Sequence, residues 1–588
     1  MTMAIYGKLF LLLFNLKMPR QLHSMFAYLL LYYNVESGLD LWEEFKQYLC
    51  EDLLQRGRSA GLSDDECNAE GLRYVQSIVE GCGKLMADFD LPTSERLFRF
   101  DDVPENQASS PSYDSLNAEQ REIADAVIQS VNRNLNEDGK PRIFFVDGPG
   151  GTGKSYLFNF LSKHFQNLHK TVIMCAWSGV AATLLVGGKT VHSTFKIPLN
   201  ANNESTSLMN RNSDAANSLI SCSLFVIDEV SMMDIDSLCI IDSLLRELTG
   251  SDIPFGGKTV VFGGDFRQTL PIVVRGSEGD IVARCVLSSE LWSLCKHYHL
   301  RQNMRAENDL EFASFILSIG DDTCPRKVDD PFKNCISLPK CCVVSNVVDS
   351  IFPVGLDPLQ AKDSVILTPT NETALRVNDL ILERINGGEV VSVSADSVEC
   401  EDSGDEFRYE IEYLNSLNFT GLPPHRLHLK VDCAVMLLRN LHAEGGLCNG
   451  TRLIVKKIYD RYLVCETVIG GRLVMIPKIV LSPARTDLPF KLKRLQFPVR
   501  LAYCITINKS QGQTIKNVGI LLEKPVFGHG QLYVALSRAT SFQNLKIEVR
   551  DVPAKQGSHD GQTYTANVVY HQLSILLNQP DNQIIDTV

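Results

Sequence analysis

Arg142-Ile143-Phe144-Phe145-Val146-Asp147-Gly148-Pro149-Gly150-Gly151-Thr152-Gly153-Lys154-Ser155-Tyr156-Leu157 is the stretch on which the rest of the chain turns. The apolar run Ile143 to Val146 predicts a buried parallel strand. Gly148 to Ser155 then fits G-x-x-x-x-G-K-S/T, a loop whose backbone N–H groups turn inward around phosphate oxygens. Its glycines let the chain make that turn, Lys154 adds a point charge at the β- and γ-phosphates, and Ser155 can ligate Mg²⁺. The helix that starts there offers its positive end to the anion. Gly148, Pro149, Gly150, Gly151, Thr152, Gly153, Lys154 and Ser155 are therefore the candidate binding residues for a nucleoside triphosphate.

At 588 residues the chain is too long for one core, and about three to four domains are expected. Its 44% apolar and 22% charged content is that of an ordinary globular protein. With 70 acidic against 57 basic residues, the net charge of −13 excludes a basic coat over the whole surface. A local positive groove for nucleic acid stays possible, since only the contacted surface must be positive. The 17 cysteines contain no C-x-x-C pair, so zinc-ribbon and redox-motif readings fail on spacing. An odd count points to free thiols in a reducing compartment. The apolar start around Leu9 to Phe14 lacks a charged n-region and a small-residue cleavage site, and is too short to span a bilayer. We expect a core helix or a truncated N-terminus there, and no membrane partner.

Upstream of the loop, residues 18 to about 105 place apolar side chains at helical spacing, as in Leu41, Trp42, Phe45, Tyr48 and Leu49. They predict a helical region without chemistry of its own, and the polar stretch Asp101 to Tyr113 a linker. Gln120 opens the helix about thirty residues before the loop, and its amide can make paired hydrogen bonds to an adenine edge.

Downstream, Thr171 to Trp177 predicts a second strand, followed by Ser178-Gly179 and by His192-Ser193-Thr194-Phe195. Small residues and hydroxyls at strand ends suit close approach to a phosphodiester. Phe195 or His192 could stack on a base, though a turn with a packed Phe fits the spacing equally well. Ser223 to Met232 delivers Asp228 and Glu229 to the carboxyl end of a strand. Asp228 suits Mg²⁺ held through water, and Glu229 is the natural general base for the attacking water. The strand Thr259 to Phe262 runs into Gly264-Asp265-Phe266-Arg267-Gln268. There Gln268 can orient water and γ-phosphate, and Asp265 can equally be a structural cap. Arg305 and Arg538 are candidate fingers on the γ-phosphate. Two arginines so far apart in sequence make sense if the nucleotide lies between two domains.

Val365 to Asn371 begins a second α/β domain. From about Ser397 to Phe497 short β-like runs alternate with glycine turns, which predicts a small inserted barrel. After it, Thr506-Ile507-Asn508-Lys509-Ser510 combines a lysine with hydroxyls at a strand-to-helix turn, suited to clamping a backbone phosphate.

These motifs, in this order over roughly Leu116 to Leu545, resemble those of the petite-integration-frequency (PIF) DNA helicases, in the 5′-to-3′ branch of superfamily 1 that also contains RecD. The resemblance is nearest to the helicase region of Helitron transposon proteins, as in Gly446-Leu447-Cys448-Asn449-Gly450-Thr451-Arg452 and His529-Gly530-Gln531-Leu532-Tyr533-Val534. It implies an α/β architecture: two RecA-like P-loop domains with parallel sheets, an SH3-like β-barrel insert in the second, and an α-helical N-terminal region. The implied boundaries are 1–110 for the helical region and linker, 111–300 for the first RecA-like domain, and 301–396 with 498–553 for the second. The insert takes 397–497 and the C-terminal tail 554–588.

The implied activity is ATP-dependent 5′-to-3′ DNA unwinding with Mg²⁺, on single-stranded and tailed duplex DNA. Repair, recombination, telomere maintenance or transposition are the implied settings, and the nucleus the implied compartment. The resemblance assigns Gln120 to adenine, Lys154 and Ser155 to phosphate and magnesium, and Asp228 and Glu229 to hydrolysis. Gln268, Arg305 and Arg538 go to the γ-phosphate. Ser178, Gly179, His192, Ser193, Thr506, Asn508, Lys509 and Ser510 fall along the DNA strand. Trp177 and Cys504 depart from the family pattern, which puts DNA contacts in doubt before hydrolysis. His297-Tyr298-His299 imitates the metal motif of the rolling-circle nuclease in Helitron proteins, but it lies on the strand entering the Arg305 motif. The nuclease is therefore expected to be absent, leaving a helicase fragment or a stand-alone descendant. The competing readings are an ATP-binding single-strand module that does not unwind, and an RNA helicase.

Overall fold

The computed structural model describes residues 19–32, 35, 37–59, 63–82, 84–93, 111–133, 142–198, 201–304, 309–355, 357, 361–399, 409–419, 421–442, 445–483 and 488–577. The apolar start around Leu9 to Phe14 and most of the predicted linker lie outside these. The chain divides into two compact units, one drawn from Ser109–Ile381 with Tyr503–Val588, the other from Met1–Ala108 with Leu382–Ala502.

The first unit is built on two parallel sheets. In one, β1 (Ile143–Asp147), β2 (Val172–Ala176), β3 (Lys189–Thr190), β4 (Leu224–Asp228), β5 (Thr259–Gly264) and β6 (Lys296–His299) lie in the order β3-β2-β4-β5-β1-β6. Strands buried on both faces are apolar along most of their length, which is why β1, β4 and β5 carry apolar runs bounded by Asp147, Asp228 and Thr259. Successive residues still point to opposite faces. Ile143 and Phe145 of β1 join Phe225, Phe262 and Trp292 in one core, while Phe144 and Val146 join Phe158, Leu161 and Val261 in the other.

The second parallel sheet has the order β8-β7-β9-β10, from β7 (Ser364–Thr368), β8 (Cys504–Thr506), β9 (Asn517–Leu522) and β10 (Leu545–Val549). The segment after residue 553 is no loose tail. Gly557–His559 and Gln562–Thr565 pair antiparallel, and the latter also pairs with Ile336–Ser337. The helix His571–Leu577 places Leu573 in the core of the first sheet.

In the second unit, the N-terminal helices Pro19–Tyr32, Gly38–Leu49 and Asp64–Gly81 pack together, with Phe26 edge-on to Trp42 at 5.6 Å. Ser37 and Ser63 cap two of them, the latter in a reciprocal box with Glu66. The insert is antiparallel, with Leu473–Pro477, Tyr462–Thr467, Arg452–Ile458, Ala434–Leu437 and Val499–Leu501 forming five adjacent strands. Pairing carries it past 397–497 on both sides: Val390–Val393 pairs with Arg426–Leu429, and Val499–Leu501 with Ala434–Leu437. The helix Pro19–Tyr32 packs on Leu473–Pro477, and the Cys82 thiol donates to Leu441 O at 3.4 Å. The N-terminal helices thus share a body with the insert. No helix among the described residues is long and apolar enough to cross a membrane.

Candidate active site

The carboxyl ends of β1, β4 and β5 meet at one edge of the first sheet, where ligands of open α/β sheets collect. Gly148 N donates to Gly264 O at 3.1 Å, tying the loop after β1 to the end of β5. Gly153 enters α2 (Lys154–Asn167) at φ 84°, and a Cβ there would lie 2.6 Å from Gln120 Nε2. Only glycine satisfies both conditions. The Lys154 ammonium folds back onto Gly148 O.

Gln120, the expected adenine reader, lies on α1 (Ala118–Asn132), directly behind this loop. Its Oε1 accepts from Asn117 N at 3.1 Å in a capping box, and its Nε2 reaches Thr152 O at 3.5 Å. The amide therefore braces helix and loop.

Asp228 and Glu229 are both buried at the end of β4. Asp228 Oδ1 accepts from Glu229 N at 2.9 Å, and Glu229 adopts the left-handed backbone, φ 56°. Such a conformation is strained for a side-chain-bearing residue and belongs with functional sites. Burial raises the Asp228 carboxyl against the opposing pull of Lys154. Burial, then the neighbouring Asp228, pushes Glu229 up to about 7. Glu229 Oε2 and Gln268 Oε1 are buried without a hydrogen-bond partner. Buried acceptors left open in this way are costly unless a ligand or water fills them. Ser155 and Asp228 offer the hard oxygen donors that Mg²⁺ takes, beside these open acceptors, so the site suits that ion.

Asp265, 0% exposed, is the hub that joins this edge to the second sheet. Its Oδ2 accepts from Gln268 Nε2 at 3.1 Å and from the Tyr533 hydroxyl at 2.7 Å. Tyr533 lies on α4 (Gln531–Leu536), and its hydroxyl also accepts from Gly150 N at 3.4 Å. Asp147 stands beside the hub, meeting Arg267 Nη1 at 3.4 Å and His299 Nδ1 at 3.2 Å. Burial pushes its carboxyl up, but His299 and Arg267 outweigh burial and hold it below the usual range. His299 of the metal-like triplet thus faces a carboxylate.

Arg538 is buried, held by Val534 O at 3.0 Å, Gln513 O at 2.9 Å and Ser537 Oγ at 2.9 Å. Burial lowers its pKa, and the Glu229 charge opposes that shift, so the two groups share one electrostatic environment. Thr269 Oγ1 donates to Gln511 Oε1 at 2.5 Å, a further bond between the two sheets' loops. Arg305 lies outside the described residues. The segment leading to it does reach the phosphate loop: Asn303 Nδ2 donates to Gly150 O at 3.4 Å and Met304 N to Gly151 O at 2.9 Å.

The residues expected along DNA divide by depth. Ser178, Gly179, His192, Ser193, Asn508 and Lys509 are half-buried. Ser178 caps a short helix through Ala181 N at 3.1 Å, and the His192 ring packs against Trp177 with centroids 4.6 Å apart and planes tilted by 53°. Asn508 Oδ1 accepts from Gln531 Nε2 at 3.2 Å. Phe195 is a correction, and Ser510 and Thr506 lie deeper than the rest. Phe195 is wholly buried against Phe225, centroids 5.8 Å apart, so it is core and cannot meet a base. Ser510 is wholly buried with its hydroxyl on Ile507 O at 2.7 Å, and the Thr506 side chain is buried at the end of β8.

The motifs left Tyr533, Asp147 and Arg267 without a role and weighed Asp265 as a structural cap. Each lies in a quoted stretch, but its partner is far away in sequence, and only the fold makes the pair.

Residues 115–330 match the PIF1-like helicase family, and 412–458 match the 2B domain of DNA helicase Pif1. Over these residues the chain resembles the PIF1-like helicases. Among curated relatives, ATP-dependent DNA helicase PIF1 of Danio rerio is 29% identical over 455 residues, covering 76% of this chain and 63% of that protein. The Homo sapiens protein of the same name gives the same identity and coverage. The chain thus spans about 63% of the length of these relatives.

Among solved structures, a Bacteroides Pif1 bound to single-stranded DNA aligns with TM-score 0.55 at 23% identity, over 74% of this chain and 92% of that one. Pif1 helicase from Candida albicans aligns with TM-score 0.51 at 24% identity, over 74% and 95%. Over the aligned part the fold is that of these Pif1 structures, with RecA-like parallel sheets and a β insert.

Proposed function

We propose that this chain is an ATP-dependent 5′-to-3′ DNA helicase that couples Mg-ATP hydrolysis to movement along single-stranded DNA and to duplex unwinding. One observation carries the reading. Lys154, Asp228, Glu229 and Gln268 from the first sheet and Arg538 from the second gather at one buried edge, with two buried acceptors left open.

In this reading the loop Gly148 to Ser155 wraps the triphosphate, and Lys154 leaves Gly148 O for the phosphate oxygens. Ser155 and Asp228 would hold Mg²⁺, whose charge would offset that of the triphosphate. Glu229, with one oxygen open, takes the proton of the attacking water. Gln268 orients that water, while Arg538 and Arg305 meet the charge that develops on the γ-phosphate. Gln120 braces the loop near the base. Ser178, Gly179, His192, Ser193, Asn508 and Lys509 form the strand-facing surface. The names of the curated relatives support DNA over RNA as the track. Repair, recombination, telomere maintenance or Helitron transposition, in the nucleus, is the setting that fits.

The test is strand displacement on 5′-tailed and 3′-tailed duplexes, with ATPase assays of Lys154→Ala and Glu229→Gln. The helicase reading expects displacement of the 5′-tailed substrate alone. It expects DNA-stimulated turnover to fall at least about 10²-fold in both variants. ATP binding with displacement of neither substrate would favour the single-strand module, and wild-type turnover in both variants would refute the assigned chemistry.

A further inference from the structure

The helicase reading leaves one well-placed group unused, the Tyr533 hydroxyl. We propose that Tyr533 is a positioning residue that couples the second sheet to hydrolysis by orienting Gln268 through Asp265. The inference rests on the nucleotide reading above and adds to it a contact that acts separately from the arginines.

Asp265 has no exposed surface, and its Oδ2 receives two donors, Gln268 Nε2 at 3.1 Å and Tyr533 O–H at 2.7 Å. A carboxylate only accepts, so the amide of Gln268 can face it only with its NH₂ end. That fixes the opposite end: Gln268 Oε1 is buried and unpaired, the one orientation in which it can accept a hydrogen bond from a reacting water. The shorter of the two bonds to Asp265 comes from α4, which ends two residues before Arg538. The same hydroxyl accepts from Gly150 N at 3.4 Å, inside the phosphate loop.

Tyr533 therefore senses the loop on one side and sets the carboxylate on the other. Burial, then the charge of Asp265, raises its pKa well above the ordinary value and keeps it a donor. The ring is clasped as well: a Cβ on Gly320, at the end of α3 (Leu310–Gly320), would lie 2.8 Å from it. If α4 withdraws, Asp265 loses its closest donor and Gln268 its fixed orientation, so hydrolysis waits on the approach of the second sheet.

The bland alternative is a buried tyrosine that merely satisfies its hydroxyl. A double-mutant cycle on the full chain separates the two, using Tyr533→Phe, Gln268→Ala, their combination and Lys154→Ala. Tyr533→Phe keeps the ring and removes only the hydroxyl. We expect kcat for DNA-stimulated ATP hydrolysis to fall about tenfold with KM for ATP within about twofold. In the Gln268→Ala background the same change should cost less than about twofold, because the group it positions is gone.

An equal loss in both backgrounds, as a general destabilisation would give, overturns the inference, as does an unchanged kcat or a loss confined to KM. Lys154→Ala distinguishes failures. If it hydrolyses ATP as wild type does, the nucleotide reading falls with the inference. If it is inactive and Tyr533→Phe is normal, only the role of Tyr533 falls.

Discussion

Phe195 and His192 stand one helical turn apart on the same short helix, Val191–Phe195, yet one is core and the other is half-buried. Spacing cannot separate them, because residues three apart share a helix face. Depth does. Phe195→Ala should therefore cost about 3–5 kcal/mol of stability, read as a lower Tm or denaturant midpoint. His192→Ala should leave stability nearly unchanged and weaken single-stranded DNA binding by about 1–3 kcal/mol if a base stacks there. Fluorescence anisotropy with an oligonucleotide checks the second, and a normal affinity would remove His192 from the strand surface. The legible residues were those whose chemistry demands a fixed local spacing: Lys154 and Ser155 after the glycines, and Asp228 and Glu229 after four apolar positions. Tyr533 was not legible as a partner of Asp265, because nothing local in either motif refers to the other.

The strands Ala395–Glu399 and Lys491–Gln496 show the same limit for elements. Lys491-Leu492-Lys493-Arg494-Leu495-Gln496 has its two leucines three apart and shows no period-two pattern, although burial along the strand alternates. In the structure Asp396 and Arg494 are register partners, both side chains fully buried, with Arg494 Nη2 2.6 Å from Asp396 Oδ2. Arg494 also donates to Pro423 O and Leu414 O, each at 3.1 Å, so its fork is spoken for. Arg494→Met alone should cost about 3–5 kcal/mol, because Asp396 is left buried and uncompensated. The double change Arg494→Met/Asp396→Leu should recover most of that loss in urea unfolding. A double variant as unstable as the single one would mean that shape, not charge, is what the pair supplies. Other strands of the insert, such as Arg452–Ile458 and Tyr462–Thr467, were legible because short β-like runs alternate there with glycine turns.

At the scale of the molecule, the order of motifs foretold two α/β sheets and an insert, but not what the ends of the chain do. The segment beyond residue 553 looked like a tail because its strands are short and polar, yet it carries a link back to the first sheet. Tyr570 N donates to His529 Nδ1 at 2.9 Å, which leaves His529 Nε2–H to donate to Phe266 O at 2.8 Å. The bond from Tyr570 requires the neutral ring, because a protonated Nδ1 cannot accept. Burial lowers the His529 pKa below 6.5, against the upward pull of Phe266 O and the Asp265 charge. The sign follows from that direction. Above about pH 6.5 folded and unfolded chains both hold a neutral histidine and the clasp contributes fully. As pH falls below it the unfolded chain takes a proton that the folded one resists, and stability is lost. The slope from this one group is at most about 1.4 kcal/mol per pH unit. His529→Asn keeps an acceptor near Nδ1 and does not titrate. The wild-type advantage in Tm over this variant should therefore shrink between pH 7.5 and about 5.5. An advantage that stays constant or grows on acidification would mean that the ring is charged in the folded protein, and the clasp would have to be redrawn around an imidazolium.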